Sequence, residues 1–95
     1  MRSQEILMRS QEIFMDNKSI QRCVTDAICD VAPELTAEMI NLAADIRDEY
    51  DIDSMDFLNV IASIKRSTGI SIPELDYPKL DTVSHAVSYL EEKLN

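Results

Sequence analysis

Apolar residues recur at helical spacing in three segments of the chain, and this pattern limits the possible folds more than any other feature. The three stripes are Ile20, Cys23, Val24, Ala27, Ile28 and Val31; Met55, Phe57, Leu58, Val60, Ile61 and Ile64; and Val83, Ala86, Val87, Leu90 and Leu94. Spacings of three and four residues place side chains on one face of an α-helix. No run alternates apolar and polar residues for long enough to indicate a β-strand. The sequence predicts an all-α fold.

Capping residues and helix breakers set the limits of these helices. Pro33 is expected to end the first helix, because the residue before a proline avoids helical geometry. Gly69, the only glycine, stands where the second helix needs a left-handed C-cap. The candidate N-caps of the three helices are Asn17 or Ser19, Asp53 or Ser54, and Asp81 or Thr82. A brief turn at residues 74–79 adds a short helix, so we predict a small four-helix bundle with three longer helices and one short one.

Residues 34–53 are predicted to form a long connection that contains helical turns. Their helix propensity is good, but propensity is weak evidence and the apolar spacing drifts. Four residues are expected to anchor this connection in the core: Leu35, Ile40, Ile46 and Tyr50.

The first fourteen residues contain one seven-residue unit written twice, MRSQEIL and MRSQEIF. Two copies are too few to indicate a coiled coil. We therefore predict that residues 1–15 form a duplicated extension that is disordered, since chain termini are often poorly ordered. The alternative is a short helical extension that docks on the domain or on a second copy of the chain. The remainder, residues 16–95, has the length of one small domain.

Net charge narrows the class of partner. The chain has 18 acidic against 9 basic side chains, a net charge of −9. This balance argues against nucleic acid and against anionic membranes, and it favours partners with a basic patch. No apolar stretch is long enough for a transmembrane helix, and the N-terminus lacks the pattern of a signal peptide. We expect a cytoplasmic monomer without stable membrane insertion.

Residues for metal binding or catalysis are scarce. Cys23 and Cys29 are six residues apart in a helix, so they point apart and are expected to stay reduced as small core residues. Residues 51–62 begin like a calcium loop but have Asp56 and Ala62 where that loop needs Gly and Glu. With His85 as the only histidine, a catalytic triad or a histidine-based metal site is not expected. We predict no metal site and no enzyme activity.

Ser54 is the main candidate for a functional residue, because it opens a helix after a strongly acidic segment. Eight acidic residues lie between positions 34 and 56 against Arg47 alone. Ser54 could simply cap the helix. A nucleophilic role with His85 is disfavoured, since His85 falls on the polar side of the last helix. A third role fits better: another enzyme modifies Ser54, at a helix N-terminus that stabilises an attached phosphate.

The segment Asp53-Ser54-Met55-Asp56, which opens an apolar helix after an acidic loop, resembles the attachment site of acyl carrier proteins. The resemblance covers residues 19–94. The helix before Pro33, the long loop, the helix headed by Ser54, the segment GISIP and the last helix follow the family's order and lengths.

The resemblance implies a carrier domain over residues 16–95 that is a substrate of other enzymes. A phosphopantetheinyl transferase would move 4′-phosphopantetheine from coenzyme A to Ser54. The thiol of that group would carry acyl groups as thioesters in fatty-acid, lipid or secondary-metabolite synthesis. Asp53 and Met55 would contact the transferase, and Asp56 would meet the basic docking patch of a loading ligase or synthase. An aminoacyl or peptidyl carrier, or a helical interaction module without a prosthetic group, are the alternatives.

Two departures from the family pattern are visible. Asp51 stands three residues before the serine, where the family usually has Gly. Asn59, Ala62 and Lys65 occupy places where carriers of general fatty-acid synthesis have further acidic residues. The second departure favours a specialised carrier with a dedicated partner.

Overall fold

The computed structural model describes residues 16–94, which form four α-helices and two 3₁₀ helices. We label the α-helices α1 (Asn17–Val31), α2 (Ile46–Glu49), α3 (Ser54–Thr68) and α4 (Val83–Leu94); the 3₁₀ helices are Ala37–Met39 and Glu74–Leu80. Within residues 16–94 there is no named strand, only an isolated bridge between Asp45 and Thr82. The all-α bundle with three longer helices is confirmed. The duplicated segment at residues 1–15 lies outside the described residues, so its predicted disorder stays a prediction.

α1 is the central helix and packs against both α3 and α4. Four residues of its predicted stripe are fully or almost fully buried: Ile20, Val24, Ala27 and Ile28. Val31 and Cys29 pack against the core while only partly buried. Cys23 and Cys29 are free thiols, and burial raises the pKa of both. The cysteines were expected in the core, but they lie at its edge.

The predicted N-cap of α1 was wrong. Asp16, and neither Asn17 nor Ser19, precedes the helix, and its carboxylate accepts a hydrogen bond from the backbone N–H of Ser19 at 2.8 Å. This bond holds the pKa of Asp16 below its usual value. Asp16 is the better cap because its extended backbone directs the carboxylate back at the first free amides, which the carboxylate charge also favours.

α3 has a narrower apolar face than its sequence predicted. Phe57, Val60, Ile61 and Ile64 are buried, whereas Met55 is 73% exposed and Leu58 is 49% exposed. The stripe was expected to be wide, but α3 contacts α1 on one side and leaves its outer side to solvent. Its end is as predicted, because Gly69 adopts a left-handed backbone with φ of 78° and its N–H bonds to the carbonyl of Lys65.

The connection between α1 and α3 contains the predicted helical turns and is tied to the start of α4. Ile40 and Ile46 are buried, and Leu35 and Tyr50 pack partly buried against the core, as expected. The N–H of Ile46 bonds to the carbonyl of Asp81 at 2.8 Å. These contacts hold the segment that precedes Ser54 against the bundle.

The expected turn at residues 74–79 is a continuous seven-residue 3₁₀ helix that runs through Pro78 and packs against α4. Tyr89 of α4 donates a hydrogen bond to Asp76 at 2.6 Å and helps to fasten it. α4 itself begins after Thr82, whose hydroxyl accepts from the N–H of His85 at 3.0 Å. Of the two predicted caps of α4, the structure therefore uses Thr82.

Candidate functional site

Ser54 is the first residue of α3, and its side chain is exposed. The helix is capped one residue earlier: Asp53 accepts a hydrogen bond from the N–H of Asp56 at 2.8 Å. Of the two predicted caps, Asp53 serves the role. The Ser54 hydroxyl is therefore not needed to satisfy the helix end, and it is accessible for modification.

Arg47 is the side chain that contacts the Ser54 hydroxyl. Its Nη2 donates to Ser54 Oγ at 3.1 Å, and its Nε donates to the carbonyl of Ile52 at 3.4 Å. The guanidinium also lies over the ring of Phe57, 5.8 Å from the centroid, where a cation is attracted to the π-face. These contacts hold the guanidinium beside Ser54. Sequence reasoning noted Arg47 only as the lone cation of its segment and missed this role.

Asp45 fixes the start of α2 and so the position of Arg47. The Asp45 carboxylate accepts from the N–H groups of Arg47 at 3.0 Å and Asp48 at 2.9 Å. The carbonyl of Arg47 in turn accepts from the N–H of Ile52 at 3.0 Å. The short helix and the loop that follows it thus bring residues 47 and 54 together.

A cleft of about 530 Å³ opens beside Ser54, between the start of α3 and the 3₁₀ helix Glu74–Leu80. Its lining combines Ser54 with Phe57, Leu58, Tyr77 and Pro78, and with the polar residues Asp45, Arg47, Glu74 and Asp81. The rings of Phe57 and Tyr77 meet edge to face with centroids 5.9 Å apart. The exposed serine therefore lies at a partly apolar cleft that can take up a flexible chain.

Asp51, three residues before Ser54, has a left-handed backbone with φ of 55°. Within residues 16–94 it is the only residue other than glycine with a positive φ. Asp tolerates this region better than most residues, but glycine adopts it without steric cost. The turn into α3 thus needs the backbone geometry that favours Gly, although this chain has Asp51 at that position.

The other predicted site residues surround Ser54 on the surface of α3. Asp53 and Met55 are exposed, and Asp56 is half-buried. The three positions that depart from the family's acidic pattern are exposed as well: Asn59, Ala62 and Lys65. The outer face of α3 is therefore acidic at its first turn, apolar at Met55 and Leu58, and basic at its last turn.

Ser54 and His85 do not form a catalytic pair. The ring Nδ1 of His85 lies 2.6 Å from Asp81 Oδ1, and this contact holds the pKa of Asp81 below its usual value. The hydrogen-bonding partner of Ser54 is Arg47, a cation that does not act as a general base. Among residues 16–94 no group of three or more side chains is arranged to hold a metal ion. None of the described helices is both long and apolar enough to cross a membrane.

Comparison with known proteins decides the family. A family model described as "Phosphopantetheine attachment site" matches residues 22–90. The acyl carrier protein of Amoebophilus asiaticus is 33% identical over 75 residues, which cover 79% of this chain and 92% of the relative. The chain belongs to the acyl carrier protein family. The acyl carrier proteins of Rubrobacter xylanophilus and Thermotoga maritima are both 29% identical, over 89 and 84 residues, covering 94% and 88% of this chain and 91% and 94% of the relatives.

Family membership establishes the class of function. As an acyl carrier protein the chain is a carrier and not an enzyme, and its prosthetic group is covalently attached 4′-phosphopantetheine. Members of this family interact with phosphopantetheinyl transferases and with enzymes that handle acyl groups. The resemblance found in the sequence is confirmed at this level.

Proposed function

We propose that Ser54 is the attachment residue and that the chain is a specialised acyl carrier protein. The observation that carries this proposal is that capping and the exposed hydroxyl at the start of α3 belong to two different residues. Asp53 caps the helix, while the next residue presents an exposed hydroxyl at the mouth of a cleft. A serine that served only as a cap would bond to the helix amides itself.

The residues around Ser54 fit the prosthetic group. The helix N-terminus favours the negative phosphate, and Arg47 places a positive charge at the oxygen that would be esterified. The apolar lining of Phe57, Leu58 and Tyr77 suits an acyl chain. When bound, the group supplies a thiol that holds acyl groups as thioesters.

The loading reaction needs no catalytic residue of this chain. A transferase would join Ser54 Oγ to the phosphorus of the phosphopantetheine unit of coenzyme A, and the adenosine 3′,5′-bisphosphate portion would leave. The hydroxyl proton of Ser54 passes to a base of the transferase. What this chain contributes is an accessible hydroxyl on a rigid helix start, with Asp53 and Met55 exposed on either side as transferase contacts.

The outer face of α3 supports a dedicated partner over a general fatty-acid synthase. Asp56 presents acidic charge at the first turn, where a basic patch on a ligase or synthase could dock. Farther along, Asn59 and Ala62 are neutral and Lys65 is positive, so the complementary face of the partner would carry its basic charge near Ser54 only.

Mass spectrometry tests the attachment residue. The chain is incubated with a broad-specificity phosphopantetheinyl transferase, magnesium and coenzyme A, and its intact mass is measured with that of Ser54→Ala. Ser84→Ala is a matched control, since Ser84 is also an exposed serine in the first turn of a helix. We expect one phosphopantetheine on the parent and on Ser84→Ala, and none on Ser54→Ala.

Two results would contradict this proposal. Modification that persists in Ser54→Ala would assign another serine. Absence of modification in the folded parent, with a known carrier labelled in parallel and Asp51→Gly also unlabelled, would favour the interaction module without a prosthetic group.

The pathway that the carrier serves is tested on protein that carries phosphopantetheine. Partner enzymes of general fatty-acid synthesis are assayed with the parent and with Lys65→Glu, which restores acidic charge at the last turn of α3. A specialised carrier is expected to react poorly as the parent and better as Lys65→Glu. Efficient reaction of the parent would instead identify a carrier of general fatty-acid synthesis, and loading by an amino-acid-activating enzyme would identify an aminoacyl carrier.

A further inference from the structure

We propose that Arg47 binds the phosphate of the prosthetic group on Ser54 and is a specific positioning residue of this carrier. This inference rests on the proposed attachment at Ser54. In this role the Arg47 cation would hold the phosphate end of the phosphopantetheine group. It would thereby set the direction in which the rest of that group leaves the protein surface.

The contact between Arg47 and Ser54 supports this role. Arg47 Nη2 already donates to Ser54 Oγ at 3.1 Å. In the modified protein this oxygen is bonded directly to phosphorus, so the free phosphate oxygens lie next to the guanidinium. Arginine has five N–H donors, and the contacts to Ser54 and to the carbonyl of Ile52 use two. The remaining donors can bind phosphate oxygens, with the forked geometry that arginine–phosphate pairs commonly have.

The charge distribution is the second argument. Arg47 is the only Lys or Arg between Arg22 and Lys65, in a part of the chain that is rich in Asp and Glu. A phosphodiester adds one negative charge next to Asp53 and Asp56, and like charges at close range repel. The Arg47 cation beside Ser54 offsets this repulsion. Without Arg47, only the helix N-terminus would favour the negative charge.

The absence of a carboxylate partner is the third argument. Within residues 16–94 the close contacts between acidic and basic side chains are Asp76 with Lys79 and Asp81 with His85, and neither involves Arg47. Although acidic residues surround it in sequence, the guanidinium contacts a hydroxyl, a carbonyl and an aromatic ring. The guanidinium is thus held at the Ser54 hydroxyl and forms no ion pair with a carboxylate of residues 16–94.

A difference in thermal stability between modified and unmodified protein tests the proposal. Parent, Arg47→Gln, Arg47→Lys and Arg22→Gln are each prepared in both forms, and the change in Tm on modification is compared. Arg22→Gln removes the same charge from an exposed position of α1 with no side-chain contact to Ser54. Because each variant is compared with its own unmodified form, any effect of the substitution on folding cancels.

We expect the change in Tm on modification to be less favourable in Arg47→Gln than in the parent by about 2–5 °C, the shift that a weak exposed ion pair produces in a small domain. Arg47→Lys should be intermediate, because lysine keeps the charge and loses the fork. Arg22→Gln should match the parent. The difference between Arg47→Gln and the parent should shrink in about 0.5 M salt.

Nuclear magnetic resonance provides a second measurement, in which the Arg47 resonance is read in the parent and the phosphorus resonance is compared with that of Arg47→Lys. Modification should shift the Arg47 Nε–H resonance, and the ³¹P resonance should differ between the parent and Arg47→Lys. Equal changes in Tm for the parent and Arg47→Gln, or an unmoved Arg47 Nε–H resonance in protein whose mass proves modification at Ser54, would overturn the role of Arg47. A missing mass gain would instead contradict the proposed function itself, so the two failures are distinguishable.

Discussion

The Asp53 carboxylate accepts a hydrogen bond from the backbone N–H of Asp56 at 2.8 Å, across the residue proposed to carry the prosthetic group. The side chain that caps this helix start is therefore not the one proposed for modification. The Asp53 side chain satisfies an amide that would otherwise lack a partner. Ser54 contributes a hydroxyl that contacts Arg47 on the surface.

We expect Asp53→Ala to lower the free energy of unfolding by about 1 kcal/mol, the usual cost of a lost N-cap. Ser54→Ala should change it by less than about 0.5 kcal/mol, as exposed substitutions usually do. Urea unfolding at neutral pH measures both. An equal loss in the two variants would mean that Ser54 shares the capping role.

Asp51→Gly is expected to stabilise the fold by up to about 1 kcal/mol. The left-handed backbone at φ of 55° costs an ordinary residue roughly 1–2 kcal/mol, and glycine offsets part of its gain through the larger entropy of the unfolded chain. Asp51→Ala should be destabilising, because alanine has neither the freedom of glycine nor the local hydrogen bonding of Asp. Thermal unfolding of the three proteins ranks them, and an order with alanine above glycine would contradict this account.

Tyr89→Phe is expected to change the pH dependence of stability at both extremes. Burial, and next the bond to Asp76, raises the pKa of Tyr89 to about 12, whereas the hydroxyl of Tyr89 holds the pKa of Asp76 below its usual 3.8. The raised tyrosine pKa adds stability that is complete below pH 10 and is lost as pH rises towards 12. The lowered carboxyl pKa adds stability that is present above pH 3.8 and is lost as pH falls through the folded-state value.

Urea unfolding of the parent and Tyr89→Phe from acidic to alkaline pH measures these two losses. In Tyr89→Phe the alkaline loss assigned to this residue should vanish, and the acid loss should weaken as the Asp76 pKa returns towards its usual value. Carboxyl resonances followed by pH titration locate the change at Asp76. An unchanged Asp76 titration in the variant would contradict the importance of the 2.6 Å bond.

Acyl groups on the modified chain are expected to raise Tm, and more so for longer chains until the cleft is filled. A chain that enters the cleft beside Ser54 binds the folded state only, so it shifts the folding equilibrium towards that state. Each methylene that is fully buried contributes about 0.8 kcal/mol. Leu58→Gln, at a half-exposed residue of the lining, should reduce the gain. A Tm that is independent of acyl length would show that the chain stays outside.

Salt and magnesium are expected to raise Tm, because eight carboxylates between residues 34 and 56 repel one another with only Arg47 to offset them. About 0.5 M sodium chloride screens most of this repulsion. Asp48→Asn, which removes one exposed carboxylate of α2, should raise Tm at low salt and reduce the response to added salt. A flat Tm across the salt series would refute the role of self-repulsion.

The helices and the candidate serine could be predicted from the sequence because both depend on local patterns. Apolar spacing predicted α1, α3 and α4, and Gly69 predicted the end of α3. The acidic loop before Ser54 indicated that residue as the candidate site. At α3 and α4 one of the two candidate N-caps was correct, Asp53 and Thr82, whereas the prediction for α1 was wrong. Asp16 capped α1 in place of Asn17 or Ser19, since backbone geometry at the helix start decides which side chain reaches the free amides.

Residue spacing alone thus determined that this chain is helical, that its core is formed by three apolar stripes, and that a serine heads the second long helix. Only the tertiary structure decided that Arg47 lies on Ser54, that Met55 and Leu58 face solvent, and that Asp76 meets Tyr89. The physical reason is the range of the interactions. Helical periodicity depends on residues three and four apart, whereas these contacts depend on how a left-handed turn at Asp51 and the packing of separate helices orient distant parts of the chain.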